Sequence, residues 1–160
     1  DALLIDSTNI SNITFSGIVI SNTNSSYNDI YFKTGTNNLT KIKDMSIGKY
    51  NMSNFGSKVS IEDTQYGEIL FLEKVSGAGN DFSSEIIIVN NSAYLGGSNP
   101  GLNKTANISL YGIGNRGFTN PVILDGSSEC TTCFNFTSLT AETVIFNVTG
   151  KGNYSIGDSI

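Results

Sequence analysis

The sequence predicts an all-β chain, an antiparallel sandwich or barrel of about a dozen short strands. Three observations predict it. Apolar and polar residues alternate in many short runs, and no window sustains a 3.6-residue apolar period. Clusters of Gly, Asn, Ser and Asp separate those runs at close spacing. The composition is 38% hydrophobic, with 17 Gly but only 2 Pro and no Trp. At 160 residues the chain is read as one domain with enough length to bury a core.

The elements follow in order. Residues 1–11 turn from apolar to polar and are read as an N-terminal arm; residues 12–160 are read as a single sandwich domain. From 12 to 20 a strand carries Ile13, Phe15 and Val19 on one face and Ile18 and Ile20 on the other. Apolar on both faces late in its run, it is expected to be covered on both sides, by a second sheet or by another subunit. Residues 21–28 turn, and 29–33 form a strand opposing Ile30 and Phe32 to Tyr31. Short strands are expected at 39–43, 45–50, 59–62 and 66–74, with a weak seam near 63–66. After a Gly-rich loop, 85–90 is a β-branched strand of buried type, and 93–95 extends it. Residues 105–111 set Ala106, Ile108 and Leu110 against Asn107 and Ser109. Strands at 121–124, 134–137, 143–149 and 154–156 complete the chain. In the 143–149 strand, Val144, Phe146 and Val148 share one face and Ile145, Asn147 and Thr149 the other.

Composition excludes several functions. The net charge is −5, only 14% of residues are charged, and the 9 basic ones are scattered singly, which leaves no footprint for nucleic acid. The longest aliphatic runs, Ile86-Ile87-Ile88-Val89 and Ala2-Leu3-Leu4-Ile5, fall far short of the ~20 residues of a membrane helix. With no His, the usual general base is missing and a Ser–His–Asp or Cys–His arrangement is impossible. The carboxylate pairs Glu62/Asp63 and Asp125/Glu129 read as solvated groups, not as a glycosidase pair. Asp81 and Asp125 read as turn formers, since a calcium site wants about 6–8 oxygen ligands and the sequence has no EF-hand-like spacing. The Gly77-Ala78-Gly79 loop lacks the Lys and helix of a phosphate loop. The seven Tyr are scattered and read as core or strand-surface residues. No catalytic, cofactor-binding or metal residue is assigned, and the protein is read as not an enzyme.

What the chain has in excess is the acceptor Asn-x-Ser/Thr. Eleven occur, at Asn9, Asn12, Asn24, Asn38, Asn51, Asn90, Asn103, Asn107, Asn135, Asn147 and Asn153. Chance would give roughly 4.5, given 20 Asn and 36 Ser plus Thr among 160 residues. The middle residue is large and apolar or aromatic in eight: Ile10, Ile13, Leu39, Met52, Ile108, Phe136, Val148 and Tyr154. On a strand that residue points inward while the Asn and its hydroxyl partner point outward. Covalent N-glycans are therefore expected, on strand faces as well as in loops.

Cys130-Thr131-Thr132-Cys133 holds the only two cysteines. Zinc wants four ligands, and a thioredoxin-like centre wants a βαβ context, so the reading is a small loop disulfide; the competing reading is a free, reduced pair in a cytosolic protein, against which the excess of acceptors argues. The disulfide suits an oxidising compartment.

From about residue 66 to 156 the order of features resembles a β-sandwich module of archaeal secreted surface proteins. The residues that carry the resemblance are Ile69-Leu70-Phe71-Leu72, Glu85-Ile86-Ile87-Ile88-Val89, the stretch from Leu102 to Gly112, Asn120-Pro121-Val122-Ile123-Leu124-Asp125-Gly126, the Cys130/Cys133 pair, Phe146-Asn147-Val148-Thr149 and Tyr154-Ser155. Such modules build S-layers, adhesins and extracellular filaments. The resemblance implies an Ig-like sandwich at the cell surface, secreted with its signal peptide removed and without catalytic residues. The expectation is a structural subunit of an N-glycosylated extracellular filament, with copies of itself as partners, assembled head to tail by strand donation from the N-terminal segment. Leu3, Ile5, Ile13, Phe15 and Val19 are the candidate donor side chains. The alternatives are an adhesin or carbohydrate-binding module and an S-layer lattice component.

Overall fold

The computed structural model describes residues 3–7, 13–17, 19–20, 26–35, 39–53, 58–96 and 98–159. Among the described residues there are eighteen strands: β1 (Leu3–Ser7), β2 (Ile13–Ser16), β3 (Val19–Ile20), β4 (Ile30–Gly35), β5 (Leu39–Lys43), β6 (Ser46–Ile47), β7 (Tyr50–Asn51), β8 (Lys58–Asp63), β9 (Gly67–Phe71), β10 (Ala78–Gly79), β11 (Ile86–Val89), β12 (Ser92–Leu95), β13 (Ala106–Tyr111), β14 (Pro121–Asp125), β15 (Ser128–Glu129), β16 (Phe134–Asn135), β17 (Thr143–Val148) and β18 (Gly152–Asp158). A single helical turn, α1 (Phe82–Glu85), precedes β11. The fold is all-β, as the alternation requires.

The antiparallel expectation holds only for the second part of the chain. Before residue 63 the chain winds in stacked coils whose strands pair in parallel. Leu3 lies against Ile30, Ile13 against Thr40 and Val19 against Ser46, each 27 residues apart. The next coil repeats the pattern more tightly, with Ile30 against Tyr50 and Leu39 against Lys58. β1, β4 and β7 form one wall of this short β-helical stack, β2, β5 and β8 a second, and β3 and β6 a third. The 12–20 segment is consequently not one strand covered on both faces. Gly17, at φ 66, turns the corner between β2 and β3, and Val19 is 71% exposed.

The seam expected near 63–66 is where pairing changes from parallel to antiparallel. Asp63 accepts through Oδ1 from the backbone N–H groups of Gln65 (2.9 Å) and Tyr66 (3.0 Å), closing a tight turn that sends β9 back along β8. Asp44, in a left-handed conformation at φ 47, steadies that turn by accepting from Thr64 N–H at 2.8 Å. From β9 onward, apart from β10, which joins β7, the chain alternates between two sheets. One has the order β16-β17-β13-β9-β8-β5-β2, and the other β11-β12-β18-β14-β15. One buried cluster joins both sheets and the coils, and Phe146 of β17 meets Tyr154 of β18 edge to face at 6.4 Å.

The seven-stranded sheet runs unbroken from coils to sandwich. Its registers place Phe15, Ile42, Ile61, Ile69, Ile108 and Phe146 directly opposite one another in one inward row. The outward row reads Thr14, Lys41, Ser60, Leu70, Asn107, Asn147 and Phe134.

The last turns of the stack are covered. β9 pairs with β8, and β10 pairs antiparallel with β7. At β6, helix α1 takes over: Ile47 N–H donates to Ser83 Oγ at 2.7 Å, and Phe82 N–H to Gly48 O at 2.9 Å. Phe82 packs edge to face on the buried Tyr50 ring at 5.0 Å.

Candidate functional site

Two features of the surface bear on function: the acceptor asparagines and the free end of the coil stack. Asn9, Asn12, Asn24 and Asn38 lie outside the described residues. The other seven are all at the surface: Asn90, Asn103, Asn135 and Asn153 are exposed, and Asn51, Asn107 and Asn147 half-buried. In four of the acceptors whose structure is described, the middle residue lies inward as expected. Met52, Ile108 and Val148 are fully buried and Tyr154 nearly so, while Lys104, the polar exception, is half-buried.

Two acceptors depart from that pattern. At Asn135 the faces are reversed: Asn135 sits opposite Phe146 on the inward side, so Phe134 and Phe136 point outward, 65% and 55% exposed. β16 is an outer strand, and its inward side opens to solvent at the sheet edge. In the Asn38 acceptor, Thr40 points into the stack between Ile13 and Val59 and is fully buried, its Oγ1 without a hydrogen-bond partner.

The acceptor amides differ in which atom is engaged. Asn103 Oδ1 accepts from Lys151 N–H at 2.8 Å, Asn153 Oδ1 from Ser92 Oγ at 2.8 Å and Asn51 Oδ1 from Ser53 N–H at 2.9 Å. Asn90 Oδ1 accepts from Arg116. These bonds use the oxygen and orient the amide without using Nδ2, the atom a glycan takes. Asn135 and Asn147 are different: Asn135 Nδ2 donates to Thr137 O at 2.9 Å, and Asn147 is engaged twice. Its Nδ2 donates to Asn107 Oδ1 at 3.0 Å and to Ala106 O at 3.2 Å, a cross-strand amide ladder on the outer face.

Cys130 and Cys133 form the disulfide, with Cα atoms 5.5 Å apart. It closes the segment between β15 and β16, which Cys130 N–H ties back to Ile123 O at 2.8 Å. Of the carboxylates singled out in the sequence, Glu62, Asp63, Asp81 and Asp125 have structural partners. Glu62 accepts from Lys41 Nζ (3.1 Å) and Lys43 Nζ (3.0 Å), and Glu68 from Lys41 at 3.0 Å. Burial pushes the Glu62 carboxyl up, but Lys43 and Lys41 outweigh it and hold the pKa below the usual value. Lys41 is raised on balance: burial pulls it down, and its bonds to Glu68 and Glu62 more than offset that. Asp81 caps α1 by accepting from Ser84 N–H at 3.2 Å, and Asp125 accepts from Asn153 N–H at 2.9 Å. In the interior, Tyr50 donates to Glu85 Oε2 at 3.1 Å and accepts from Asn99 Nδ2 at 2.7 Å. Burial first, then the Glu85 charge, pushes the Tyr50 phenol up to about 12. Among the described residues no three His, Cys, Asp or Glu side chains converge as a metal site.

The candidate donor residues have partners within their own chain. Leu3 and Ile5 belong to β1 on β4, Ile13 and Phe15 to β2 on β5, and Val19 to β3 on β6. Residues 3–7, in the expected arm, are thus an integral wall of the first coil. β1, β2 and β3 are each the outermost strand of their sheet. Comparison with family models, with curated proteins and with solved structures returned no match.

Proposed function

We propose that this protein is a structural subunit of an N-glycosylated extracellular archaeal filament, assembled head to tail from copies of itself. The observation that carries the reading is the surface position of all seven described acceptor asparagines, most of them backed by a buried middle residue. Core rows hold the sheets together while the opposite rows face outward, where Asn51, Asn90, Asn103 and Asn153 engage only the amide oxygen and Asn147 would have to release its Nδ2 bonds to bear carbohydrate. The disulfide suits secretion into an oxidising compartment. The polar clusters have structural partners, which favours a scaffold over an enzyme. Strand donation by residues 1–11 is the costlier route to assembly, because Leu3–Ser7 would first have to leave β4. The Phe134–Phe136 pair, its rings 5.4 Å apart, offers apolar surface for a contact between copies at the far edge of the seven-stranded sheet.

Intact mass before and after deglycosylation, with electron microscopy of the natural material, tests this reading. Several glycans on a regular filament are expected. Bare asparagines throughout would overturn it; a flat lattice or a glycan-binding monomer would redirect it to an S-layer component or an adhesin.

A further inference from the structure

The coil stack is closed at one end and open at the other. β9, β10 and α1 cover its last strands. At the first coil nothing comparable is found among the described residues. The side chains show the difference. Leu3, Ile13, Phe15 and Ile20 are only half-buried, whereas the residues they face one coil later, Ile30, Thr40, Ile42 and Ile47, are 0–1% exposed. The apolar interior of the stack therefore ends in a partly open layer.

The backbone specifies what fits there. Leu3 N–H bonds to Asp29 O at 3.0 Å and Gly17 N–H to Lys43 O at 3.1 Å, so alternation turns the polar groups of Leu4, Thr14 and Ser16 away from the second coil. Three edges present such groups together, and among their described residues none carries the Lys or Pro that usually guards an edge. A single added strand could satisfy one edge of the three. A coil satisfies all three and covers the apolar layer, repeating the coil-to-coil interface that the chain already makes. We infer that the N-terminal end of the stack seats a further parallel β coil, a segment of about 20–27 residues running into Asp1. The inference does not depend on the filament reading: absence of glycans or filaments would leave it intact.

The test uses the 160-residue chain and a version with residues 3–29 duplicated in tandem ahead of Leu3, which preserves the 27-residue register. A control carries Leu3→Ser, Ile13→Ser, Phe15→Ser and Ile20→Ser in the added copy only. Amide hydrogen exchange is read over the original β1, β2 and β3. The faithful duplication should slow exchange there at least about tenfold and raise Tm, and the serine control should do neither. Unchanged exchange in the faithful duplication, or equal slowing by the control, overturns the inference. Concentration-dependent dimerisation of the 160-residue chain that protects the same amides also overturns it, by giving the edge to a second copy.

Discussion

Replacing Ile42 by Ala tests whether coils and sandwich share one core. Ile42 is 1% exposed in β5, between Phe15 and Ile61 in the row that continues to Phe146. The substitution removes three carbons, and strands on both sides limit collapse around the hole. Buried Ile→Ala changes cost about 2–5 kcal/mol, and a site flanked on both sides belongs in the upper half, so about 3.5–4 kcal/mol is expected. For a domain of this size that lowers Tm by roughly 10 °C. Urea and thermal melts followed by circular dichroism measure it, since the chain has no Trp. One transition, shifted as a whole, is expected; Thr14→Ala, exposed on the adjacent strand, should stay within about 0.5 kcal/mol. Two transitions, the later one at the unmodified midpoint, would show that the coils fold apart from the sandwich and that the continuous row does not couple them.

Three further outcomes follow. Gly67→Ala places a Cβ against the Ser109 carbonyl oxygen, where β9 and β13 approach closely, and should cost about 2–3 kcal/mol by thermal melting; a neutral result would mean the strands sit further apart. Cys130→Ser with Cys133→Ser should lower stability by about 2 kcal/mol, the loop-closure value for so short a ring, without changing the far-ultraviolet spectrum. Stability should be flat between about pH 5 and 9.5 and fall on both sides. On the acid side the Glu62 contribution, present above 4.5, is lost as pH drops through its lowered pKa, and Lys41→Met should move that loss to higher pH; an acid limb unmoved by Lys41→Met would remove the ion pairs from the account. On the alkaline side Tyr50, Tyr111 and Tyr154, raised chiefly by burial to about 12, resist ionisation while the unfolded phenols ionise from 10.0, so stability falls between those values.

The sandwich was legible in the sequence because its signals are local. Strict alternation in β13 and β17 named the inward residues, and the turn at Asp63 announced a change of course. The coils were not legible in the same way. Alternation looks identical in parallel and antiparallel strands, so a strand such as Leu39–Lys43 does not disclose its partner. The signal that could have shown it is long-range: Leu3, Phe15 and Ile20 recur as Ile30, Ile42 and Ile47 at one spacing. The repeat is obscured because the next interval shortens, Ile30 pairing with Tyr50 and Thr40 with Val59. The acceptor pattern was read correctly wherever a strand has a clear inside, and failed at Phe136, where the outer strand β16 turns its aromatic residues to solvent, and at Thr40, where a coil wall needs a small inward residue.

The two ends of the molecule solve the edge problem differently, and that asymmetry gives the chain a direction. Parallel strands cannot be closed by a short hairpin from the next strand without reversing the chain, and the turn at Asp63 performs that reversal, converting an extensible stack into a finite sandwich. Everything from β9 onward therefore serves two purposes at once: it seals the last coil, and it carries six of the seven described acceptors, Asn90, Asn103, Asn107, Asn135, Asn147 and Asn153, on sheets or turns of their own. Asn51 and Asn135 mark the limits of that division, one in the coils and one at the outer edge of the sandwich. The first coil, by contrast, leaves Leu3, Ile13, Phe15 and Ile20 only half-buried, and it is this partly open apolar layer that a further coil would cover.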